Sequence, residues 1–390
     1  PKFMCEWAPF PPFTRRRAAP DYKAIERAVE LLKKSKIPLI IAGNGAIRKM
    51  ASKHLRKFVG LTNIPVVSTF MGKGAVSDND PQSLFTVGLQ ARDFVMCAIE
   101  RADLIITIGY DIAEYAPEHW NREKSKKIIH IDFTPAEIYN YYQPDVEIVC
   151  DVSAALWELN EIVKRDNISF NPSWYQSLRT HILADFESYR LKEGDKFTVP
   201  GVLHIIRKLM NPGDLLISDV GSHKMWIGRN YPVYEPNSVI ISNGLASMGI
   251  ALPGGIAAKL AHPDRQVVAI MGDGGFMMNS QEIETARRIG VGFTMIVLND
   301  NDYGLISWKQ KSHTGRSTAT ALTNPDFARY AESFGIKGYC PLTLAEMESN
   351  LKEAITGQQL ALVEIPIQPS VNYELTQKLN SNMCEMFKFE

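Results

Sequence analysis

The amino-acid sequence predicts an α/β protein built from two doubly wound parallel-sheet domains. Short, continuous apolar runs alternate with amphipathic stretches of about 10–15 residues, which is typical of buried parallel strands joined by helices. Gly, Asn and Asp follow most of these runs, as expected where a strand ends in a turn. The 390 residues give room for two or three domains. We divide the chain into a linker, a first α/β domain, a helical connector, a second α/β domain and a C-terminal arm, at residues 1–20, 21–165, 166–198, 199–369 and 370–390.

The first domain opens with an amphipathic helix at residues 21–35, in which Ile25, Val29 and Leu32 recur at helical spacing. The pattern predicts further helices, the last of them in the connector, at 51–62, 91–102 and 173–190. It predicts strands at 37–43, 65–69, 103–110 and 126–132.

The second domain shows the same alternation over a longer stretch. Its predicted strands are 215–220, 238–243, 267–271, 293–298 and 361–367. Its predicted helices include 201–210, 248–261, 324–335 and 343–355, and the arm beyond it is predicted to lie on the surface.

Composition excludes several classes of function. The net charge is zero, so no broad electrostatic attraction to nucleic acid or to an anionic membrane is expected. No apolar run approaches the length of a membrane span. The cysteines have neither metal nor redox spacing, which predicts reduced, mostly buried thiols of a cytoplasmic protein; they are Cys5, Cys97, Cys150, Cys340 and Cys384.

Two acidic turns follow neighbouring strands of the second domain. Asp273 comes after one buried run, Asp300 comes after the next, and a capping pattern of Asn279 and Glu282 is expected to start the helix between them. Parallel strands bring their carboxyl ends to one edge, so the two carboxylates should lie side by side. Such an oxygen-rich site suits Mg²⁺ or Ca²⁺, and the glycines around Asp273 allow a phosphate to approach the backbone. The sequence therefore predicts a metal-bridged diphosphate.

The spacing makes this signal more specific. The Gly-Asp-Gly at 272–274 and the Asn-Asp pair ending at Asp300 resemble the motif of thiamin-diphosphate-dependent enzymes. The resemblance implies that Mg²⁺ is bound by the side chains of Asp273 and Asp300 and by the carbonyl of Asp302. The alternative is a pair of solvated turns in a Rossmann-like domain.

Other segments extend the resemblance. The run DVGSHKMW at 219–226 and the run SNGLASMG at 242–249 each follow a predicted strand. The resemblance implies that Met248 is an apolar wedge that bends thiamin diphosphate into its reactive V shape. It also implies a set of further cofactor-binding residues, namely Gly221, Ser222, His223, Ala246, Gly274, Gly275 and Tyr303.

Together these segments resemble the acetolactate synthases over about residues 20–375. The first α/β domain then corresponds to the middle domain, and the second to the thiamin-diphosphate-binding domain. The segment from Tyr110 to Trp120 is closer to the catabolic, FAD-free branch, so FAD is not expected. The Gly43-Asn44-Gly45 turn does not alter this, because Arg48 replaces the third glycine of a dinucleotide fingerprint. A scaffold role is therefore expected for the middle domain.

Two departures from the family limit what carries over. Family members have an N-terminal pyrimidine-binding domain that supplies an activating glutamate, and no Glu here can be given that role. The biosynthetic branch has a substrate-selecting Trp where this chain has Lys309, which leaves the acceptor keto acid open.

The resemblance implies condensation of two pyruvates to 2-acetolactate and CO₂ by a cytoplasmic homodimer or homotetramer that associates through its cofactor-binding domains. The alternatives are another thiamin-diphosphate-dependent decarboxylase or carboligase, a fragment that binds cofactor without turnover, and a nucleotide-dependent oxidoreductase.

Overall fold

The computed structural model describes residues 17–88, 94–380 and Cys384. The architecture is α/β, with two six-stranded sheets whose strand pairs are all parallel among the described residues. The predicted fold class is confirmed. Most of the predicted linker, residues 1–16, lies outside the described residues.

The first sheet has the strand order β3-β2-β1-β4-β5-β6. Its strands are β1 Pro38–Ala42, β2 Val66–Ser68, β3 Ser83–Thr86, β4 Leu104–Ile108, β5 Lys127–Asp132 and β6 Val146–Val149. Three helices share one core with the sheet, α1 Tyr22–Lys34, α2 Lys49–Thr62 and α4 Val152–Arg165. Two more cover the opposite face, α3 Phe94–Arg101 and α5 Ser173–Ser188. The predicted connector helix is therefore confirmed, and it packs on the first sheet.

The second sheet has the order β11-β12-β10-β9-β7-β8. Its strands are β7 Leu215–Ser218, β8 Val239–Ile241, β9 Val267–Gly272, β10 Thr294–Asn299, β11 Lys337–Tyr339 and β12 Ala361–Pro366. One face is covered by α6 Val199–Leu209, α7 Ser222–Asn230, α11 Gly304–Thr314, α13 Leu344–Thr356 and α14 Ser370–Asn380. The other is covered by α8 Ala251–Ala261, α9 Asp273–Asn279, α10 Glu282–Arg288 and α12 Phe327–Ser333.

The central strands explain why this sheet is sandwiched between helices. Every position of β9 from Val267 to Met271 is buried, as is every position of β10 from Thr294 to Leu298. A strand that is apolar on both faces must be covered on both. Apart from Thr294 at the start of β10, the polar residues come where these strands end, so the carboxyl edge of the sheet is where chemistry can be placed.

A buried lysine ties the first domain to the second. Lys73 Nζ donates to the carbonyl of Gly228 in α7 and to Thr86 Oγ1 of β3, at 3.0 Å each. Its charge is balanced by Asp78, whose Oδ2 lies 3.7 Å away and also accepts the Val233 N–H at 2.8 Å. Because these groups are out of solvent, the pairing fixes the C-terminal end of α7 against the first domain.

Three short strands are absent from the sequence prediction. They are β3, β6 and β11, of three or four residues each. Each contains polar residues that interrupt an apolar run, and β6 and β11 include exposed positions. They form the outer positions of the two sheets, where one neighbouring strand is enough to hold them.

The prediction of a surface arm at 370–390 is wrong for its first half. Residues Ser370–Asn380 form α14, whose Val371 and Leu375 are buried in the core of the second domain. The Trp226 indole N–H of α7 also donates to Asn372 Oδ1 at 2.7 Å. The segment is thus an integral layer of the domain.

The prediction that all cysteines are reduced and mostly buried is also wrong. Cys97 of α3 and Cys384 form a disulfide across 287 residues of sequence. The bond joins two cysteines that are far apart in the chain, which sequence spacing cannot show. Cys150 is a buried thiol and Cys340 an exposed one, while Cys5 lies outside the described residues. Within the described part of the chain, no helix combines the length and apolarity needed to cross a membrane.

Candidate cofactor site

A cavity of about 250 Å³ opens at the carboxyl edge of the second sheet. It lies between β7 and β9, where the strand order reverses, which is the usual place for ligands in open parallel sheets. Eleven of the twelve predicted site residues line it, namely Gly221, Ser222, His223, Ala246, Met248, Asp273, Gly274, Gly275, Asp300, Asp302 and Tyr303. Segments that are far apart in sequence thus meet in one place.

The acidic end of the cavity holds carboxylates whose protons are unusually tightly bound. Asp273 is almost fully buried, and burial raises its pKa against the lowering effect of its hydrogen bonds. Burial also raises the pKa of Asp300 to about 7, with the charges of Asp273 and Asp302 acting in the same direction. Like charges held this close in a poorly solvated place repel each other, and a cation between them would relieve that repulsion.

The donor set at this end fits a hard cation. Within the described ranges, no three His, Cys, Asp or Glu side chains are grouped so as to hold a metal ion by themselves. A metal here would therefore need ligands from outside the protein as well. Two carboxylates and a carbonyl would leave the other positions to diphosphate and water, which is how Mg²⁺ is usually held. Asp302 Oδ1 is buried and makes no hydrogen bond, so it is an oxygen in need of a donor or a cation.

The N-terminus of α7 also lines the cavity, and it offers a neutral imidazole. His223 is buried, its Nε2 has no hydrogen-bond partner, and burial lowers its pKa to about 4. The ring is therefore uncharged at neutral pH and has one N–H, which donates to the Asp219 backbone carbonyl, so Nε2 faces the cavity as a hydrogen-bond acceptor. The first residues of the helix, Ser222 and His223, line the cavity, and backbone N–H groups at a helix N-terminus can bind phosphate oxygens.

Glycine at 274 is required by a close approach. A Cβ at Gly274 would lie 2.7 Å from Cε1 of the Tyr303 ring, which is closer than side-chain atoms tolerate. The backbone of Tyr303 is fixed by a hydrogen bond from its N–H to the Thr320 carbonyl at 2.9 Å. The glycine thus lets the ring lie directly over the backbone that carries Asp273.

Met248 lies on a loop that is held from two sides. Ala246 and Gly249 both have positive φ, at 50° and 83°, so α8 begins only at Ala251. The Gly249 N–H donates to the Asp219 carboxylate at 2.9 Å, and the Gly249 carbonyl accepts from Asn279 Nδ2 at 2.7 Å. The loop conformation is therefore set by tertiary hydrogen bonds.

These bonds correct one prediction and add one residue. Asn279 does not cap a helix, because its amide is bonded to Gly249 and α9 has already begun at Asp273. Asp219 was not among the predicted site residues, although it is the first residue of the DVGSH run. Its carboxylate is fully buried, and its only signal in the sequence was its position directly after a strand.

Asn324 is a second residue that the sequence reasoning missed. Its amide nitrogen lies 2.6 Å from Asp273 Oδ2. The sequence marked it only as the start of a helix, and no local pattern could have assigned it to the site.

Lys309 lies apart from the cavity. It is exposed on α11 and does not line the cavity, while its neighbour Trp308 is buried in the core. Among the described residues that line the cavity, none is a glutamate.

The chain belongs to the thiamine pyrophosphate enzymes. Residues 25–159 match the family described as "Thiamine pyrophosphate enzyme, central domain", and residues 219–365 match "Thiamine pyrophosphate enzyme, C-terminal TPP binding domain".

Among its relatives are acetolactate synthases. "Acetolactate synthase" of Bacillus subtilis is 31% identical over 94% of this chain and 65% of its own length. "Acetolactate synthase, catabolic" of Raoultella terrigena is 33% identical over 90% of this chain and 63% of its own length. A probable large subunit from Methanococcus aeolicus is 32% identical over 89% of this chain and 61% of its own length. The chain thus spans less than two thirds of these relatives.

Proposed function

We propose that this chain forms the middle and cofactor-binding parts of an acetolactate synthase that uses thiamin diphosphate and Mg²⁺ to convert two pyruvates into 2-acetolactate and CO₂. The observation that carries the proposal is the meeting of eleven predicted residues around one cavity, with a pair of mutually repelling carboxylates at one end. When bound, thiamin diphosphate supplies the electron sink that decarboxylation and carbon–carbon bond formation need.

In this proposal, the residues of this chain bind the metal ion and the cofactor and orient the cofactor for reaction. Asp273, Asp300 and the carbonyl of Asp302 would hold Mg²⁺ against the diphosphate. The N–H groups at the start of α7 would donate to phosphate oxygens, and neutral His223 would accept a hydrogen bond from the cofactor at Nε2. Met248 would fix the bend of the cofactor, because its loop is held by two hydrogen bonds at Gly249. The apolar side chains along the cavity would exclude water from the reacting atoms.

An exposed apolar surface favours association of cofactor-binding domains into a homo-oligomer. Leu245 is 98% exposed, and Met277, Met278 and Ile306 are each about half exposed on the elements that bound the cavity. Exposed apolar side chains on several elements around one cavity are typical of an interaction surface. Light scattering on the purified protein should report a dimer or tetramer, and a monomer would contradict this part of the proposal.

The first test is calorimetry of thiamin diphosphate binding with and without Mg²⁺. The wild-type chain should bind only with the metal, and Asp273→Ala should abolish metal-dependent binding without unfolding the protein. Asp264→Ala is the matched control, because Asp264 is an exposed carboxylate of the same domain that precedes β9. Equal binding by the Asp273 variant and the wild type would refute the metal assignment.

The reaction itself is tested by product analysis on the protein with all of its domains. Acetolactate from pyruvate is expected, and acetaldehyde without acetolactate would favour a simple decarboxylase. Binding without any product would favour the alternative of a chain that holds cofactor without turnover. We also propose that FAD is not required, so the purified protein should show no flavin absorbance.

We propose a cytoplasmic location as well. The cytoplasm is a reducing compartment, in which the disulfide between Cys97 and Cys384 is open to reduction. Alkylation of the pair in intact cells before lysis therefore tests the location, since protected cysteines would indicate an oxidising compartment.

A further inference from the structure

One side chain joins the two loops that carry the acidic residues. Asn324 Nδ2 lies 2.6 Å from Asp273 Oδ2, at the end of β9. The same nitrogen lies 3.0 Å from Asn299 Oδ1 and 3.2 Å from Asn301 Oδ1, at the end of β10. The two amide hydrogens are thus shared among oxygens from both strand ends.

The segment that carries Asn324 is itself attached to the second loop. We call residues 320–324 the strap. Leu322 N–H donates to the Asn301 carbonyl at 2.8 Å, and the Thr320 carbonyl accepts from Tyr303 at 2.9 Å. Asp302 and Ala321 form an antiparallel bridge between these two bonds. The strap therefore runs alongside the loop of Asp300 and Asp302 and ends on Asp273.

The donor that reaches Asp273 is neutral, and this matters for a cation site. An Arg or Lys in this place would compete with a metal for the carboxylate charge. An amide fixes the orientation of the carboxylate and leaves its charge available. The other oxygen, Oδ1, accepts the Gly274 N–H at 2.9 Å, so both oxygens of Asp273 are oriented by neutral donors.

We propose that Asn324 is a positioning residue for Mg²⁺, which sets the separation of the two acidic loops and the orientation of Asp273. This rests on the proposed function, because it assigns a role toward the metal of that same site. Groups that orient metal ligands from behind typically change metal affinity by about 10–100-fold when removed. Asn324 acts through Asp273 and touches no reacting atom.

The test uses the complete protein and two variants, Asn324→Ala and Asn324→Leu, of which the second keeps the side-chain volume. The Mg²⁺ concentration at half-maximal thiamin diphosphate binding is measured by calorimetry. It should rise about 10–100-fold in both variants. Excess Mg²⁺ should restore the wild-type cofactor affinity and turnover, which it would not do for a purely structural defect.

The control is Asn160→Ala, which removes a buried amide bonded to the His54 carbonyl at 3.0 Å in the first domain. This variant should unfold at a lower denaturant concentration in EDTA. The Mg²⁺ concentration at half-maximal thiamin diphosphate binding, the Mg²⁺ midpoint, should not change. A Mg²⁺ midpoint within twofold of wild type in a folded Asn324 variant would overturn the inference and leave the proposed function standing. Absence of Mg²⁺-dependent binding by the wild type would overturn the proposed function itself.

Discussion

Replacing Asp300 by Asn should stabilise the metal-free protein at alkaline pH while leaving an oxygen ligand for Mg²⁺. In the folded chain burial, reinforced by Asp273 and Asp302, raises the pKa of Asp300 from its ordinary 3.8 to about 7. The folded state therefore holds this proton more tightly than the unfolded state does. The protonated Asp300 carboxyl contributes its full share of the free energy of unfolding below about pH 4. This contribution is lost as the pH rises to about 7.

The size of the effect follows from that interval. It spans about three pH units, each worth about 1.36 kcal/mol, so the ionised Asp300 costs the folded protein at most about 4 kcal/mol. Between pH 5 and pH 8 the loss amounts to roughly 3 kcal/mol, because only the part from pH 5 to about 7 falls in this range. An Asn in the same place has no proton to lose and removes this dependence.

The assay is urea unfolding in EDTA at pH 5 and pH 8, followed by Trp fluorescence. The wild type should lose roughly 3 kcal/mol more stability over this range than Asp300→Asn does. Exposed Asp264→Asn serves as the control and should behave as the wild type. If Asp300→Asn and the wild type show the same change between the two pH values, the carboxyl is not held protonated in the folded state and the reasoning fails.

Three further predictions concern the loop and the core. Met248→Ala should lower kcat more than it lowers cofactor affinity, and equal losses in steady-state assay and calorimetry would make Met248 ordinary core. Asp219→Ala should also lower kcat more than cofactor affinity, because it frees the Gly249 N–H that holds the loop. An unchanged kcat would contradict that role. Leu375→Ala should cost about 2–5 kcal/mol in urea unfolding, whereas Leu342→Ala, at a 77% exposed position, should cost little. Similar costs for the two leucines would show that α14 is not integral to the core.

The central part of the fold was predictable because its signals are local. The runs that became β9 and β10 are apolar at successive positions and end in polar turns, so their burial and the place of the acidic residues follow from the chain itself. The parallel arrangement then brings Asp273 and Asp300 to one edge without further information. Long apolar runs and strand ends are therefore the features that a single sequence carries well.

The features that were missed depend on contacts between distant segments. Asn279 has the local pattern of a cap, but a bond to Gly249, thirty residues away, takes its amide instead. Asn324 reaches Asp273 across 51 residues, and nothing near it in sequence indicates this. Helix α14 could have been found, since Val371 and Leu375 are spaced four apart on one helical face.

The disulfide between Cys97 and Cys384 changes the covalent topology of the molecule. Cys97 lies in the first domain, and the bond closes a ring that contains the connector and the whole second sheet. The two domains are then joined twice, once by the peptide backbone and once through sulfur. A single proteolytic nick anywhere within the ring would leave one covalent molecule, and its two pieces would separate on a gel only after reduction.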